Sequence, residues 1–280
     1  MKTNSELPLA LLNSLNEELN DYDFVLYNLY RDNDMYREYF LDMRQREPDR
    51  LMILDNSAYE LYIKGEELDP MDYLRVIKEL HPDIFIIPDT LMSKSQTTAS
   101  LNRWIRDGWI NEARKAGALP LAVAQGSTSI ELAECLKEYK EMGISCVAIP
   151  FHNTFFRNMI IDPSILDWMK EALDTEIETD DMLRAAGRVQ WIQDNEDLLK
   201  TFGYVHLLGS HHPLEKAFYN DLPYIKSMDT SYPVKCALEG YVLFQEPSKP
   251  DTVIDDWLEM DISQDTRKLI VYNVQKFKLI

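Results

Sequence analysis

The 280-residue chain has few of the groups that crosslink proteins or hold them in membranes. Its three cysteines, Cys135, Cys146 and Cys236, are scattered and form no C-x-x-C pair, which argues against a disulfide framework and a zinc site. No segment approaches the roughly 18 consecutive apolar residues of a membrane span. The N-terminal segment carries acids and lacks a small-residue cleavage site, so we expect no signal peptide. These features predict a cytoplasmic protein with no metal, no other cofactor and no membrane partner.

Positive charge is scarce as well, because 29 Lys and Arg residues stand against 48 Asp and Glu residues, for a formal net charge of −19. Such a surface repels phosphate unless its cations are gathered in one groove. The composition therefore argues against a nucleic-acid partner but does not exclude one. Repeats, low-complexity tracts and Gly/Ser linkers are absent, and 45% of the residues are hydrophobic. We expect one large core and a single domain spanning residues 1–280.

Short apolar runs rich in β-branched residues alternate along the chain with longer amphipathic patterns. The runs predict strands at LMILD (51–55), IFIIPD (84–89), LPLAVAQ (119–125), CVAIPF (146–151), YVHLLGS (204–210) and IKSMDTS (225–231), with weaker candidates in FVLYNLY (24–30) and KCALEGYVLF (235–244). Apolar residues at i, i+3 and i+4 predict helices over 70–81, 129–143 and 162–174. This alternation is typical of a parallel sheet covered on both faces. The predicted fold is α/β, a (β/α)8-type (TIM-like) barrel with extra N-terminal and C-terminal elements.

Polar residues cluster where each predicted strand ends. They are Asp55, Asp89, Gln125, His152, the run Gly209-Ser210-His211-His212, and Asp229. In a parallel barrel the carboxyl ends of the strands meet on one face, which is where active sites lie. One such residue could be an ordinary turn residue, but the coincidence of several predicts a catalytic barrel. The two neighbouring histidines have no acidic or Cys ligand at convincing spacing, so we expect no metal there.

The two carboxylates Asp55 and Asp229 could divide the work of a glycosyl transfer. One would attack the sugar carbon while the other protonates the leaving group, as in retaining enzymes. Asp89 and Gln125 offer acceptors and donors suited to the edge of a purine-like base, and Tyr59 could stack on that base. Paired acids also bind metals, so the residues alone leave both interpretations open.

Five segments form an ordered set over most of residues 50–240. They are LDNSAYEL (54–61), PDIFIIPD (82–89), AVAQGSTSIELAECLKEYKEMGISCVAIP (122–150), YVHLLGSHHPLEKAF (204–218) and IKSMDTSYPVKCALEG (225–240). In this order they resemble the D-S-G-G-F/Y-Q motif, the strand ending in a guanine-reading aspartate, the V-Q-G-G and A-I-G-G strands, the Y-L-M-G-V-G-x-P segment and the nucleophile segment of tRNA-guanine transglycosylases.

The resemblance implies a role for each matching residue. Asp229 would be the nucleophile and Asp55 the general acid/base. The base-binding positions would be Asn56, Tyr59, Asp89, Gln125, Gly126, Ile149, Leu208 and Gly209. Leu208 stands at the position of a base-packing methionine, and Ile149 stands where a glycine lends its backbone to the base.

The departures from the family's motifs argue against tRNA as the substrate. Ser57-Ala58 replaces a glycine pair, and the C-x-C-x-x-C…H zinc site that follows the nucleophile segment is absent. Val234 and Lys235 stand in a stretch that is rich in arginine in the tRNA enzymes. The chain in these respects resembles the short, zinc-free DNA transglycosylases of phages and bacteria, which insert 7-deazaguanines into DNA.

That resemblance implies a queuosine-related base exchange in the cytoplasm of a bacterium or a phage-infected host. Guanine in DNA, favoured over tRNA, would be replaced by a base such as 7-cyano-7-deazaguanine. Duplex DNA would require the target nucleotide to be flipped out. The candidate phosphate contacts are Lys94, Arg103, Arg106, Arg157 and Lys235.

Two other functions stay open from the sequence. The acidic surface fits a base exchanger or N-glycosidase that acts on free nucleosides or nucleotides. A non-catalytic base-binding module is the third interpretation, against which the presence of both Asp55 and Asp229 argues. The oligomeric state and the identity of the deazaguanine also stay open.

Overall fold

The structure, a computed structural model, describes residues 1–151, 153–210, 212–244 and 260–280. The strands in these ranges are β1 (Lys2–Ser5), β2 (Asp23–Leu26), β3 (Met52–Asp55), β4 (Ile84–Ile86), β5 (Leu119–Val123), β6 (Cys146–Pro150), β7 (Tyr204–Leu208) and β8 (Ile225–Thr230). The described strands form one eight-stranded sheet in the order β1-β8-β7-β6-β5-β4-β3-β2. The registered pairs are parallel; Leu26 lies beside Asp55, and Asn4 beside Asp229. This confirms the predicted (β/α)8-type barrel class.

Helices connect the strands throughout the described chain. They are α1 (Leu9–Leu19), α2 (Tyr27–Asp32), α3 (Asp34–Arg46), α4 (Ala58–Lys64), α5 (Pro70–Leu80), α6 (Lys94–Arg106), α7 (Trp109–Lys115), α8 (Ser129–Glu141), α9 (Pro163–Leu173), α10 (Asp180–Asp194), α11 (Glu196–Leu199), α12 (Tyr232–Leu238) and α13 (Gln264–Lys278). Two 3₁₀ helices cover Thr154–Asn158 and Pro213–Tyr219. The predicted helices over 70–81, 129–143 and 162–174 are confirmed as α5, α8 and α9. None of the helices within the described ranges is long and apolar enough to cross a membrane.

Several of the described helices begin after a side chain that caps a free backbone N–H. Asp69 accepts from the Met71 N–H at 2.9 Å, and Pro70 occupies the first turn of α5. Asp162 caps α9 in the same way, accepting from the Ser164 N–H at 2.9 Å, with Pro163 following. The Asp-Pro pairs in the sequence therefore mark where two of the helices begin.

The predicted strand over KCALEGYVLF (235–244) is wrong. Residues 232–238 form α12, because Pro233 fixes a helical φ in the first turn. Val234 and Ala237, one turn apart, are buried in a cluster with Leu11 and Leu15 of α1 and with Ile270 of α13. The weaker candidate FVLYNLY is a strand only as far as Leu26, since α2 begins at Tyr27.

The chain forms two compact units. One contains residues 1–21, 151–199 and 207–280, and the other contains residues 22–150 and 200–206. In the second unit, Tyr73 packs edge to face on Trp104 with ring centroids 5.8 Å apart. The expectation of one domain over residues 1–280 stays a prediction.

Candidate functional site

Asp55 ends β3 and turns directly into a constrained bend. The side chain is buried, and its Oδ2 accepts a hydrogen bond from the Ser57 N–H at 2.7 Å. Ser57 has a φ of +57°, in the left-handed region that a glycine would adopt without penalty. Its hydroxyl oxygen accepts from the Asn28 N–H at 3.1 Å, which holds this bend against the start of α2. Ser57 thus adopts a backbone conformation that is typical of glycine.

Asp89 lies between two amide side chains that were predicted separately. Its Oδ1 accepts from Asn56 Nδ2 at 2.8 Å, and its Oδ2 accepts from Gln125 Nε2 at 2.7 Å. Asp89 as a whole is partly exposed, but its carboxyl group is desolvated. This desolvation raises the pKa of Asp89, and the hydrogen bonds from Asn56 and Gln125 only partly oppose it. We call these three residues the Asp89 clamp.

The orientation of both amides in the Asp89 clamp is fixed by the backbone. Asn56 Oδ1 accepts from the Ala58 N–H at 2.8 Å, and Gln125 Oε1 accepts from the Met92 N–H at 2.9 Å. Because each amide oxygen is bound to a backbone donor, each amide nitrogen must point to the aspartate. The clamp therefore presents Asp89 as a hydrogen-bond acceptor with both oxygens already aligned.

Gln125 and Gly126 are held by the helix that follows them. Cys135 of α8 donates its Sγ–H to Gln125 O at 3.0 Å, and Tyr139 donates to Val123 O at 2.9 Å. A Cβ at Gly126 would lie 2.8 Å from the Cβ of Glu131, so any larger residue would force the first turn of α8 to shift. The close approach of Glu131 therefore explains why a glycine follows Gln125.

Asp229 lies near the end of β8 and is buried. Its Oδ1 accepts from the Gly209 N–H at 2.9 Å. Gly209 follows β7 with a φ of +67°, a left-handed conformation that suits glycine. The next residue of β8, Thr230, donates its hydroxyl to Ser210 O at 2.5 Å. Two hydrogen bonds therefore connect the loop after β7 to β8, one at the Gly209 N–H and one at Ser210 O.

A buried ion pair lies behind this loop. Arg188 of α10 and Glu215 are both fully buried, and Arg188 Nε lies 2.6 Å from Glu215 Oε1. Arg188 also donates to Leu208 O at 3.2 Å and to Gly209 O at 2.8 Å. Sequence reasoning missed both residues. The available signal was an arginine within the otherwise apolar stretch Ala185-Ala186-Gly187-Arg188-Val189.

The remaining predicted base-binding residues differ in exposure. Ile149 is fully buried in β6, and Leu208 at the end of β7 is half-buried. Tyr59, on α4, is 56% exposed, which leaves its ring accessible to a ligand. The roles of these residues stay predictions. His152 and His211 lie outside the described residues.

Four of the predicted phosphate contacts have acidic partners. Lys94 lies 2.7 Å from Glu134 and 2.8 Å from Glu138. Arg103 and Arg106 both pair with Asp107, and Arg157 pairs with Asp180. Lys235 lies on α12 and is half-buried. A phosphate would have to compete with these carboxylates, and the predicted contacts remain untested.

A cleft of about 570 Å³ adjoins the Asp89 clamp within the same unit. Met92, whose N–H binds Gln125, forms part of its lining, as do Lys94 and Ser127. Hydroxyl, amide and charged groups line the cleft together with Met92 and Ala99, and Lys94 is already paired to acids on α8.

No protein-family model matches the chain, and no curated protein matches it. Among the described residues, no group of three or more His, Cys, Asp and Glu side chains could hold a metal ion. His212 is buried, and burial lowers its pKa from 6.5 to about 4, so its imidazole is neutral near pH 7.

Proposed function

We propose that the chain is a base-exchange glycosyltransferase that replaces guanine in a nucleic acid with a 7-deazaguanine. The Asp89 clamp is the single observation that supports this best. Guanine presents two neighbouring donors, N1–H and the exocyclic N2–H, and a fixed carboxylate can accept both. Adenine presents an acceptor at N1, which a carboxylate would repel. A clamp of this kind selects guanine and 7-deazaguanines over adenine.

The clamp leaves capacity for this ligand. A carboxylate has about four lone-pair positions, and the Asn56 and Gln125 amides use one on each oxygen. Since both amides are locked by backbone donors, the ligand need not order them on binding, which lowers the entropic cost. Tyr59, exposed on α4, would supply a stacking face for the base.

The proposed reaction is a retaining double displacement. The Asp229 carboxylate attacks C1′, the C1′–N9 bond of the target guanosine breaks, and Asp55 gives its proton to the departing guanine. The 7-deazaguanine then attacks C1′, releases the Asp229 ester and returns a proton to Asp55. One base leaves and one enters, so no oxidant, metal or energy source is consumed.

DNA is the proposed acceptor, for reasons that lie in the sequence. The zinc site and most of the arginines with which the tRNA enzymes hold RNA are absent. The alternative acceptor is a free nucleoside or nucleotide, which the net charge of −19 and the acid-paired cations favour. A free nucleoside needs no phosphate-binding groove.

The test is incorporation of radiolabelled guanine into separate samples of duplex DNA, tRNA and guanosine. We expect label in DNA, and we expect Asp229→Asn to abolish both the exchange and the covalent adduct. Asp221→Asn, at an exposed position, is the matched control and should exchange normally. Label only in guanosine would favour the nucleoside enzyme. Normal incorporation by Asp229→Asn would show that the nucleophile is another residue.

A further inference from the structure

The peptide group between Leu208 and Gly209 lies between a cation and the proposed nucleophile. Its carbonyl oxygen, Leu208 O, accepts from Arg188 Nη1 at 3.2 Å, and its N–H, on Gly209, donates to Asp229 Oδ1 at 2.9 Å. Leu208 O also accepts from the Phe151 N–H at 2.9 Å. A peptide that accepts from a guanidinium becomes a stronger donor at its N–H, because hydrogen bonds in a chain polarise one another.

Arg188 holds the following carbonyl as well. Its Nη2 donates to Gly209 O at 2.8 Å, so the guanidinium binds the oxygens on both sides of Gly209. Gly209 stands at a φ of +67°, a left-handed conformation that glycine adopts without steric penalty. The guanidinium therefore fixes Gly209, whose N–H binds Asp229 Oδ1.

Arg188 is itself held in place by Glu215 and by the Phe151 ring. Glu215 binds it through two hydrogen bonds, from Nε at 2.6 Å and from Nη2 at 2.9 Å. Tyr219 and Ser210 donate their hydroxyls to Glu215 at 2.7 and 3.2 Å. The guanidinium carbon also lies 5.0 Å from the centre of the Phe151 ring. A fully buried pair with this many partners is expensive to desolvate, and a purely apolar contact would stabilise the fold as well.

We infer that Arg188 is a positioning residue that sets the orientation of the Asp229 carboxylate through the Leu208–Gly209 peptide. The catalytic importance of this orientation rests on the proposed function. The hydrogen bonds that connect Arg188, Gly209 and Asp229 are independent of that function. Glu215 orients Arg188 through two hydrogen bonds and is therefore part of the same positioning network. No contact of either residue with a substrate is required.

The test uses the double variant Arg188→Met with Glu215→Met. Removing both charges leaves no unpaired buried ion, so the chain should fold. Arg188→Lys is the second variant, because lysine keeps the charge but cannot bind two carbonyls and a carboxylate with one planar fork. Asn273→Ala is the control, since it removes three hydrogen bonds to backbone groups around α12 and α13 without touching Gly209.

The first readout is the Gly209 amide in ¹⁵N-glycine-labelled protein, where the chain's nine glycines give few peaks and Asp229→Asn assigns the peak. We expect the Gly209 proton to move upfield and to exchange faster in both Arg188 variants, and to stay in place in Asn273→Ala. The second readout is kinetic. We expect kcat to fall about a hundredfold with KM for the base unchanged, which is the effect of a displaced reacting group.

The outcomes separate the two proposals. An unchanged Gly209 amide in both Arg188 variants would overturn the inference, whatever the activity. A kcat loss equal to that of Asn273→Ala would also overturn it, because the role would then be structural only. A shifted amide in a protein that exchanges no base with any acceptor would support the link and reject the proposed function.

Discussion

At the scale of single residues, the Asp89 clamp fixes the chemistry of one hydrogen-bond acceptor in the second unit. Asn56 and Gln125 each point a nitrogen at Asp89, so the position between them must be an acceptor. A carboxylate satisfies both donors, whereas a carboxamide has one oxygen and one nitrogen. The chemistry of this position is therefore imposed by its neighbours.

Asp89→Asn should remove guanine binding, because one amide of the clamp would then face another N–H donor. We expect the affinity for guanine to fall at least about a hundredfold, the effect of losing a charged acceptor and leaving a donor unpaired. Isothermal titration with guanine and with adenine measures this. Asp221→Asn, at an exposed position, should bind as the wild type does. Wild-type guanine affinity in Asp89→Asn would show that the clamp does not read the base.

Guanine affinity should also depend on pH through Asp89. Desolvation raises the pKa of Asp89, so its neutral form persists to higher pH than that of an ordinary aspartate. Since the neutral form cannot accept from both guanine donors, affinity should be full above the raised pKa and lost below it. The contribution of Asp89 to the free energy of unfolding depends on pH in the opposite direction. That contribution is full in acid and is lost as the pH rises through the raised pKa. Titrations between pH 4 and 8 should show this fall, and Asp89→Asn should show none.

His212 gives a pH dependence of stability. Burial holds its pKa at about 4, against 6.5 when exposed, and its Nδ1 has no hydrogen-bond partner among the described residues. Because the folded pKa is depressed, stability is full above pH 6.5 and is lost as the pH falls toward 4. The loss is about 3 kcal/mol. Urea unfolding at several pH values should show this loss in the wild type and not in His212→Asn, while the exposed His81→Asn should retain it.

At the scale of elements, two glycines set how closely helices approach their neighbours. A Cβ at Gly187 of α10 would lie 2.0 Å from Phe156 O, and one at Gly126 would lie 2.8 Å from the Cβ of Glu131. At Gly203, by contrast, the nearest atom is Ser145 O at 3.7 Å, an ordinary contact. These three positions form a graded series.

We expect Gly187→Ala to destabilise most, Gly126→Ala by about 1–3 kcal/mol, and Gly203→Ala by less than about 1 kcal/mol. At Gly187 a backbone carbonyl must move, and at Gly126 the first turn of α8 must shift. Free energies of unfolding from urea titration give the order. Equal losses at Gly126 and Gly203 would mean that α8 adjusts without cost. Gly126→Ala should also weaken guanine binding, since Gln125 precedes it in the clamp.

The elements also show how far sequence patterns reach. β3 to β8 could be predicted because their apolar runs are continuous, whereas β1 could not, since its buried residues Thr3, Asn4 and Ser5 are polar. Besides its pairing with β8, the backbone of β1 is bound by side chains, as in the hydrogen bond from the Ser5 N–H to Asn20 Oδ1 at 2.7 Å. Long-range polar contacts of this kind leave no periodic signal.

The candidate site divides in the same way. Four candidate residues could be predicted because each stands in or shortly after the end of an apolar strand: Asp55, Asp89, Gln125 and Asp229. Their hydrogen-bond partners could not, because the partners come from distant parts of the chain. Arg188 binds Gly209 O, which lies 21 residues further along the chain. Ser57 has a left-handed backbone conformation, which a serine in the sequence does not predict.

At the scale of the whole molecule, charge limits what the protein can bind. The net charge of −19 repels DNA at long range, and the salt bridges of Lys94 to Glu134 and Glu138 remove one cation from any phosphate contact. These two acids raise the pKa of Lys94, so the lysine is charged but already paired. Binding of DNA through Lys94 would have to break these pairs.

Releasing Lys94 should therefore strengthen DNA binding in a way that net charge alone does not. The variant Glu134→Gln with Glu138→Gln frees the ammonium, and Glu18→Gln with Glu171→Gln makes the same change in net charge at exposed positions on α1 and α9. One added phosphate contact steepens the slope of log K against log salt by about 0.9. We expect that change in fluorescence anisotropy titrations for the first variant only. Equal slopes for the two would mean that Lys94 contacts no phosphate and that the general field governs DNA binding. An unchanged slope with undiminished turnover of free guanosine would favour the nucleoside as the natural acceptor, because that substrate never needed the lysine.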